Sequence, residues 1–131
     1  MQKRHSIYFI TLALLLAYFV GCASVKQYSG PDLPNDKVAR IIGVEGIEIF
    51  GIDGEKYFIG PREIRILPGE HTLLVRYYEY GKGRGRPILL KLNTEAGHVY
   101  QIKKEIHLSR TRWKAWIIDK ETNEIVSKRA R

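Results

Sequence analysis

The sequence predicts an all-β domain, a small antiparallel β-sandwich or open barrel of about seven to eight strands. Short runs rich in β-branched and aromatic residues alternate with polar residues, which is the pattern of half-buried strands. Turn signals recur roughly every 8 to 12 residues, as in all-β domains. No window repeats apolar residues at the 3 and 4 spacing of a helix for long enough to form one.

The strands follow in order from these runs and turns. Asp53-Gly54 suits a two-residue type I′ hairpin turn, and Pro68-Gly69 marks the next turn. The run His71–Tyr80 carries apolar side chains on both faces, so we expect it to be a central strand. The predicted strands are Val38–Ile42, Ile47–Phe50, Glu55–Ile59, Arg62–Leu67, His71–Tyr80, Ile88–Asn93, Tyr100–Leu108, and a final hairpin of Trp113–Asp119 with Ile125–Ser127.

Residues 1–21 have the pattern of a secretory signal. A short basic segment with Lys3 and Arg4 precedes the uncharged apolar run Ile7–Val20, and Gly21 is a small residue before the only cysteine. This is the order of a basic region, an apolar core and a processing site. We therefore expect residues 1–21 to be removed.

The position of Cys22 resembles the lipobox of bacterial lipoproteins. Phe19-Val20-Gly21-Cys22 has Gly and Cys where that family has them, with Phe19 in place of the usual Leu. The resemblance implies that Cys22 becomes the amino terminus and carries fatty acyl chains such as palmitate. Membrane lipid would then be a partner, since each acyl chain contributes roughly 0.8 kcal/mol per buried CH₂. Position 23 is alanine and not the aspartate that resembles an inner-membrane retention signal. In a host with two membranes, the resemblance therefore implies that the protein is anchored on the periplasmic face of the outer membrane.

Two alternatives remain open for this segment. The uncharged stretch Ser6–Val25 approaches the ~20 residues that a spanning helix needs, so an uncleaved membrane anchor is one of them. The other is cleavage without acylation, which would give a secreted protein with a free thiol.

The rest of the chain divides into a tether, a domain and a tail. Residues 22–37 contain Gly30, Pro31 and Pro34 and no apolar period, which predicts a flexible tether after the lipidated cysteine. The sandwich is expected over residues 38–127, and residues 128–131 form a basic tail. Because no cysteine follows Cys22, the apolar core has to hold this domain together without a disulfide.

The charge of the chain bears on its partners. The net charge of the whole sequence is +8, and it falls to +6 when the segment with Lys3 and Arg4 is removed. A basic balance can indicate nucleic acid binding. Export argues against nucleic acid and favours lipid headgroups, anionic envelope glycans or other envelope proteins. The same charge could also serve solubility alone.

Part of the domain resembles the PEGA module, a small β domain named for a Pro-Glu-Gly-Ala consensus. The resemblance lies in Asp53-Gly54 and in Ile64-Arg65-Ile66-Leu67-Pro68-Gly69-Glu70-His71-Thr72-Leu73, within the region Ile47–Tyr80. Many members have Pro-Gly-x-His or Pro-Gly-x-Tyr before a long strand. The later segments 95–100 and 113–119 are similar to a pattern in uncharacterised bacterial lipoproteins. These resemblances imply a fold rather than an activity.

Residues that could support catalysis or metal binding are few. The mature chain has His71, His98 and His107, and Ser109 near His107 lacks the glycines of a nucleophile elbow. His98 and His107 are nine residues apart and would point to opposite faces of one strand. We therefore expect no enzyme activity, no metal site and no cofactor.

The most unusual local sequence is Gly81-Lys82-Gly83-Arg84-Gly85-Arg86. It is not a P-loop, because no Ser or Thr follows the last glycine. Its backbone amides and its cations Lys82, Arg84 and Arg86 could hold a phosphate or carboxylate. The same sequence is also expected of a long hairpin turn whose charges serve solubility alone. Tyr77, Tyr78 and Tyr80 beside it could stack on a ligand.

A second basic and aromatic cluster contains two tryptophans. We expect Trp116 to pack inward with Ile118 and Trp113 to be exposed, so the candidate binding residues are Lys82, Arg84, Arg86 and Trp113. The first functional hypothesis is a non-enzymatic, lipid-anchored envelope protein that binds or assembles with an anionic envelope component. The alternatives are a structural subunit joined through a sheet edge and an inhibitor of a cell-wall enzyme.

Overall fold

The computed structural model describes residues 24–56, 63–81, 83–107 and 112–130. Within these ranges the chain forms eleven strands and one short 3₁₀ turn, Asn35–Lys37, which confirms the all-β prediction. The strands are β1 (Ser24–Lys26), β2 (Ala39–Ile42), β3 (Ile47–Ile52), β4 (Glu55–Lys56), β5 (Glu63–Ile66), β6 (Gly69–Glu79), β7 (Gly83–Arg84), β8 (Ile88–Thr94), β9 (Val99–Ile106), β10 (Trp113–Asp119) and β11 (Ser127–Arg129).

The strands form two sheets that pack as a sandwich and do not close into a barrel. One sheet has the order β1-β5-β2-β9-β10, and the other has the order β11-β8-β6-β3-β4 with β7 paired to β6. The first sheet is mixed rather than antiparallel, because β1 pairs with β5 and β2 pairs with β9 in parallel. The parallel pair β2–β9 arises because the chain enters both strands from the same end of the sandwich.

The core lies between the sheets and follows the alternation of the strands. In β6 the side chains of Leu73, Val75 and Tyr77 are buried, and β6 lies between β3 and β8, which confirms the predicted central strand. In β8 every second residue from Ile88 to Thr94 is buried. Full burial of one such aliphatic side chain stabilises the fold by roughly 1.5–3 kcal/mol. The first sheet contributes Ala39, Ile41, Ile64, Ile66, Tyr100, Ile102, Trp113 and Ile117.

The Asp53-Gly54 turn has the predicted geometry and an additional partner. Both residues have positive φ, 50° and 87°, as a type I′ turn requires. The Asp53 carboxylate accepts hydrogen bonds from the Thr72 backbone N–H at 2.8 Å and from His71 Nδ1 at 2.6 Å. His71 Nε2 lies 2.8 Å from the Leu67 carbonyl oxygen. His71 therefore ties the 53–54 turn to the turn that precedes β6.

The connections lie at two opposite ends of the sandwich. The end toward which β1 begins is called the Ser24 end, although Ser24 itself is in one row with Ile42, Gln101 and Ile118; this end has the β2–β3, β6–β8 and β9–β10 connections. The Asp119 end is the end at which β10 finishes, and it has the turns 53–54, 67–68, 95–98 and 120–126. Each end brings together segments that are far apart in sequence.

The expectation of a flexible tether over residues 22–37 is wrong for its described part. Ser24–Lys26 forms β1, and Gln27 N–H donates to the Arg65 carbonyl at 2.8 Å. Arg65 also donates to the Leu33 carbonyl, and Leu33 N–H donates to the Tyr28 hydroxyl at 3.1 Å. These partners lie on β5, some 40 residues further along the chain, so local composition could not reveal them. The domain therefore starts at Ser24, and Cys22 lies outside the described residues.

The expectation of a separate basic tail at 128–131 is wrong in the same way. Lys128 and Arg129 belong to β11, which pairs with β8, and Ala130 N–H donates to the Leu89 carbonyl at 3.0 Å. The predicted hairpin with β10 is limited to the Ile118–Ile125 bridge and neighbouring bonds. The chain then crosses to the other sheet, where β8 offers a free edge.

Candidate functional site

An open groove with a volume of about 680 Å³ lies at the Ser24 end, between the β2–β3 connection and the end of β6. Three tyrosines, one lysine and two glutamates line it, so it offers stacking faces beside charges of both signs. It brings together Tyr77, Tyr78 and Tyr80, which the sequence placed beside the cationic loop, and Lys104 of β9. Its lining residues are Val44, Glu45, Gly46, Tyr77, Tyr78, Glu79, Tyr80 and Lys104.

Lys104 is held at the floor of this groove. Its Nζ donates to the Glu45 carbonyl and lies 5.2 Å from the centre of the Tyr77 ring, within the range of a cation–π contact. Gly46 makes this approach possible. Its φ is +77°, and a Cβ built there would lie 2.5 Å from Lys104 Nζ. Lys104, on a face of β9 that otherwise carries Tyr100, Ile102 and Ile106, therefore marks where the core ends and the groove begins.

The predicted loop places one cation beside the groove. Arg84 is in β7, opposite Tyr78 of β6, and its guanidinium carbon lies 5.7 Å from the centre of the Tyr78 ring. Arg86 follows two residues later with an exposed side chain. Lys82 lies outside the described residues, so its role stays a prediction. Arg84 and Arg86 remain the candidate ligand-binding residues of this loop.

Trp113 is not the exposed contact that the sequence predicted. It is only 6% exposed and packs in the core beside Tyr77, with ring centres 6.3 Å apart. Trp116 and Ile118 do share a face, but that face is the outer one, where Trp116 is half-buried. The error arose because both faces of β10 carry apolar residues, and the face that is buried also carries Asp119. A buried Trp113 cannot serve as a surface contact for a ligand.

The role of Trp113 is to fix the cationic loop. Its indole Nε1 donates to the Arg86 carbonyl at 2.7 Å, and Gly85 N–H donates to the Tyr77 carbonyl at 2.8 Å. A Cβ on Gly85 would lie 2.9 Å from the Trp113 nitrogen. Gly85 is therefore needed for close contact with the indole. The second half of the loop is docked on the domain rather than free.

Sequence reasoning missed a charged cluster at the Asp119 end. Asp119 is 5% exposed, and its Oδ2 lies 2.6 Å from His98 Nδ1. Its Oδ1 accepts the Glu121 backbone N–H at 2.8 Å. The other ring nitrogen of His98 lies 3.6 Å from carboxylate oxygens of both Glu95 and Glu121. The signal available in the sequence was an acidic residue in line with the buried positions of β10.

The environment of this cluster shifts the pKa values of His98, Asp119 and Tyr100. The hydrogen bond to Asp119 raises the pKa of His98, burial offsets part of that rise, and the carboxylates of Glu121 and Glu95 add to it. Burial alone would raise the pKa of Asp119, but the hydrogen bonds from His98 and from the Glu121 N–H outweigh it and leave the pKa lowered. Burial raises the pKa of Tyr100, whose hydroxyl accepts the Glu95 N–H at 2.8 Å. The cluster thus favours a charged His98–Asp119 pair.

The contacts of this cluster indicate a structural role. The cluster joins the 95–98 turn to the end of β10 through one partly buried ion pair. Across the described ranges, no three His, Cys, Asp or Glu side chains are arranged so that they could hold a metal ion. Ser109, the serine considered at the sequence level, lies outside those ranges.

Comparison of the chain with protein-family models, with curated proteins and with solved structures finds no match. The part of the chain that the structure describes contains no helix long and apolar enough to cross a membrane. The lipobox and PEGA resemblances therefore stay predictions from the sequence.

Proposed function

We propose that this protein is a non-enzymatic envelope lipoprotein, anchored through acylated Cys22, whose groove and cationic loop bind an anionic component of the envelope. The observation that carries the proposal is the groove lined by Lys104 and the tyrosines, with Arg84 against Tyr78 beside it. Guanidinium and ammonium groups donate to phosphates and carboxylates, and the rings offer faces for stacking. No cofactor enters this function.

The anchor is tested by the mass of the amino-terminal peptide from the native host. We expect that peptide to start at Cys22 and to carry acyl chains, and Cys22→Ala to release the protein from the membrane fraction. An unmodified Cys22 behind an intact Met1 would contradict the anchor.

Ligand binding is tested on phosphocellulose, a resin that presents phosphate groups. Residues 23–131 contain every described strand, so they suffice for this experiment. Arg84→Ala with Arg86→Ala should elute at lower salt than Lys37→Ala with Lys120→Ala, which removes the same charge at the Asp119 end. Equal elution of the two variants would show that the net charge of the protein, and not the groove, accounts for its binding to the resin.

The alternative of edge-to-edge assembly has less support from the fold. The first sheet ends in the three-residue β1, and β11 covers β8 at the edge of the second sheet. Next to β10, Val126 N–H donates to the Ile117 carbonyl, and the Ser127 hydroxyl accepts the Ile117 N–H. Short or covered edges are how sheets avoid pairing with other chains.

A further inference from the structure

Three cations lie in one row across the first sheet, on the face that points away from the core. Arg65 of β5 pairs directly with Arg40 of β2 on one side and with Lys26 of β1 on the other. None of the three is fully buried, whereas Ile41 and Ile64 in the next row are. Directly opposed residues of an antiparallel pair have Cβ atoms about 4.5–5.5 Å apart, and like charges in such positions repel. Negative charge close to this row would therefore stabilise it.

The carboxylates near the row lie at its two sides rather than at its centre. Asp32 Oδ1 lies 3.5 Å from Lys26 Nζ. Glu63 Oε1 lies 3.9 Å from Arg40 Nη1, which is too long for a hydrogen bond. Within the described part of the chain, Arg65 at the centre of the row forms no ion pair. One positive charge in this group is therefore left without a carboxylate.

Arg65 also has more hydrogen-bond donors than acceptors around it. Its Nη2 donates to the Leu33 carbonyl, in the connection from β1 to β2, and its buried Nε has no acceptor among the described residues. A guanidinium carries five N–H donors, and burying such a group without partners costs free energy. The side chain of the neighbouring Arg40 is 32% exposed. The pair thus presents unsatisfied donors at a surface that a ligand can reach.

We propose that Arg40 and Arg65 bind a phosphate monoester on the outer face of the first sheet, with Lys26 adding positive charge beside it. Guanidinium groups donate in pairs to the oxygens of phosphates and carboxylates. A phosphate monoester fits two guanidiniums on neighbouring strands better than a carboxylate does, because it presents three acceptor oxygens instead of two. This site shares no residue with the groove or the cationic loop, so it goes beyond the proposed function.

The site is tested by titrating isotopically labelled residues 23–131, which contain every described strand, with inorganic phosphate. Nuclear magnetic resonance follows the Nε–H signals of the arginines. We expect the Arg40 and Arg65 signals to shift saturably with phosphate but not with chloride at the same ionic strength. Acetate should shift them less. Equal shifts with chloride would reject the site, and equal or larger shifts with acetate would reject the phosphate class.

Matched substitutions identify the groups that bind. Arg40→Gln should weaken phosphate binding roughly tenfold or more, whereas Glu63→Gln removes the competing carboxylate and should strengthen it. The control is Arg76→Gln, which makes the same change in charge on the outer face of the second sheet, where Arg76 donates to Glu48 at 2.7 Å. Unchanged binding in Arg40→Gln, or equal weakening in the control, would overturn the assignment. If circular dichroism shows that Arg40→Gln is unfolded, Glu63→Gln decides, and binding that fails to strengthen there would reject the site.

Vesicles distinguish two sources of the phosphate group. Phosphatidylcholine vesicles that contain phosphatidic acid present a phosphate monoester at a membrane surface. Co-sedimentation with them that falls in Arg40→Gln but not in Arg76→Gln would assign the site to a lipid headgroup. Binding of inorganic phosphate without such co-sedimentation would assign it to a soluble phosphate monoester.

One further variant separates this site from the groove of the proposed function. Arg84→Ala with Arg86→Ala should leave the affinity of Arg40 and Arg65 for phosphate unchanged. Loss of phosphate binding in that double variant, together with normal binding in Arg40→Gln, would reject this site and leave the proposed function standing. Equal elution of the two phosphocellulose variants would instead reject the groove without bearing on the response of Arg40 and Arg65.

Discussion

Trp113 provides the sharpest test of how the fold holds its candidate site. Trp113→Phe keeps an aromatic ring in the core but removes the indole N–H that donates to the Arg86 carbonyl at 2.7 Å. The matched control is Trp116→Phe, the same substitution on the half-buried outer face of the same strand. The two variants differ only in the environment of the lost indole.

The expected destabilisation of Trp113→Phe has two parts. Loss of one hydrogen bond costs about 1 kcal/mol, at the modest end because solvent can reach the exposed Arg86 and hydrate its carbonyl. Loss of part of a buried side chain that is 6% exposed costs about another 1 kcal/mol, well below the roughly 3–5 kcal/mol of full truncation to Ala. The sum of about 2 kcal/mol corresponds to a fall in Tm of roughly 10 °C. Trp116→Phe should cost less than about 1 kcal/mol.

The measurement is urea unfolding of residues 23–131, followed by far-ultraviolet circular dichroism. The remaining tryptophan in each variant gives a second probe by fluorescence. A loss of stability in Trp116→Phe equal to or larger than that in Trp113→Phe would refute the assignment of Trp113 to the core. It would also remove the reason for treating the 85–86 segment as docked.

Three further predictions follow from particular contacts. Gly85→Ala places a Cβ 2.9 Å from the Trp113 nitrogen and should destabilise the domain by about 1–3 kcal/mol in the same assay; a neutral result would mean that the indole is free to move. His98→Gln should flatten the pH dependence of the free energy of unfolding. The pKa of His98 is raised in the folded state, so the charged imidazole contributes its full stabilisation below the ordinary pKa of 6.5, and this stabilisation is lost as the pH rises through the raised pKa. An unchanged slope would show that His98 and Asp119 are not paired. Arg65→Ala removes the donor to the Leu33 carbonyl, so limited proteolysis should cut within residues 27–34 while 38–130 stays intact. Resistance equal to that of the unmodified chain would show that β1 does not depend on this bond.

The sequence alone was enough to predict the fold class and several elements. Period-two alternation places Leu73, Val75 and Tyr77 on one face whichever strands lie beside them. The turn at Asp53-Gly54 depends on backbone angles that those two residue types adopt locally. Such features need no information about distant parts of the chain, so they could be read directly.

The tertiary structure decided which face of a strand is buried when both faces carry apolar residues. Each face of β10 carries one tryptophan, and the sequence analysis predicted that the face with Trp116, which lacks Asp119, is the buried one. In the structure the other face is buried. Asp119 on that face pairs with His98, which directly precedes the neighbouring strand β9, and this pairing offsets the cost of burying a carboxylate. The partner lies 21 residues away in sequence, where no local pattern connects the two.

The same reason explains what could be predicted of the site. The tyrosines and Arg84 were recognised from their neighbours in sequence, whereas Lys104 and Gly46 joined them only through the meeting of β9 with the β2–β3 connection. Sequence patterns predicted the strands and the turns, and the signal segment in front of them stays a prediction. Pairing between distant strands determined that β1 holds the chain from Ser24, because that is a property of long-range hydrogen bonding.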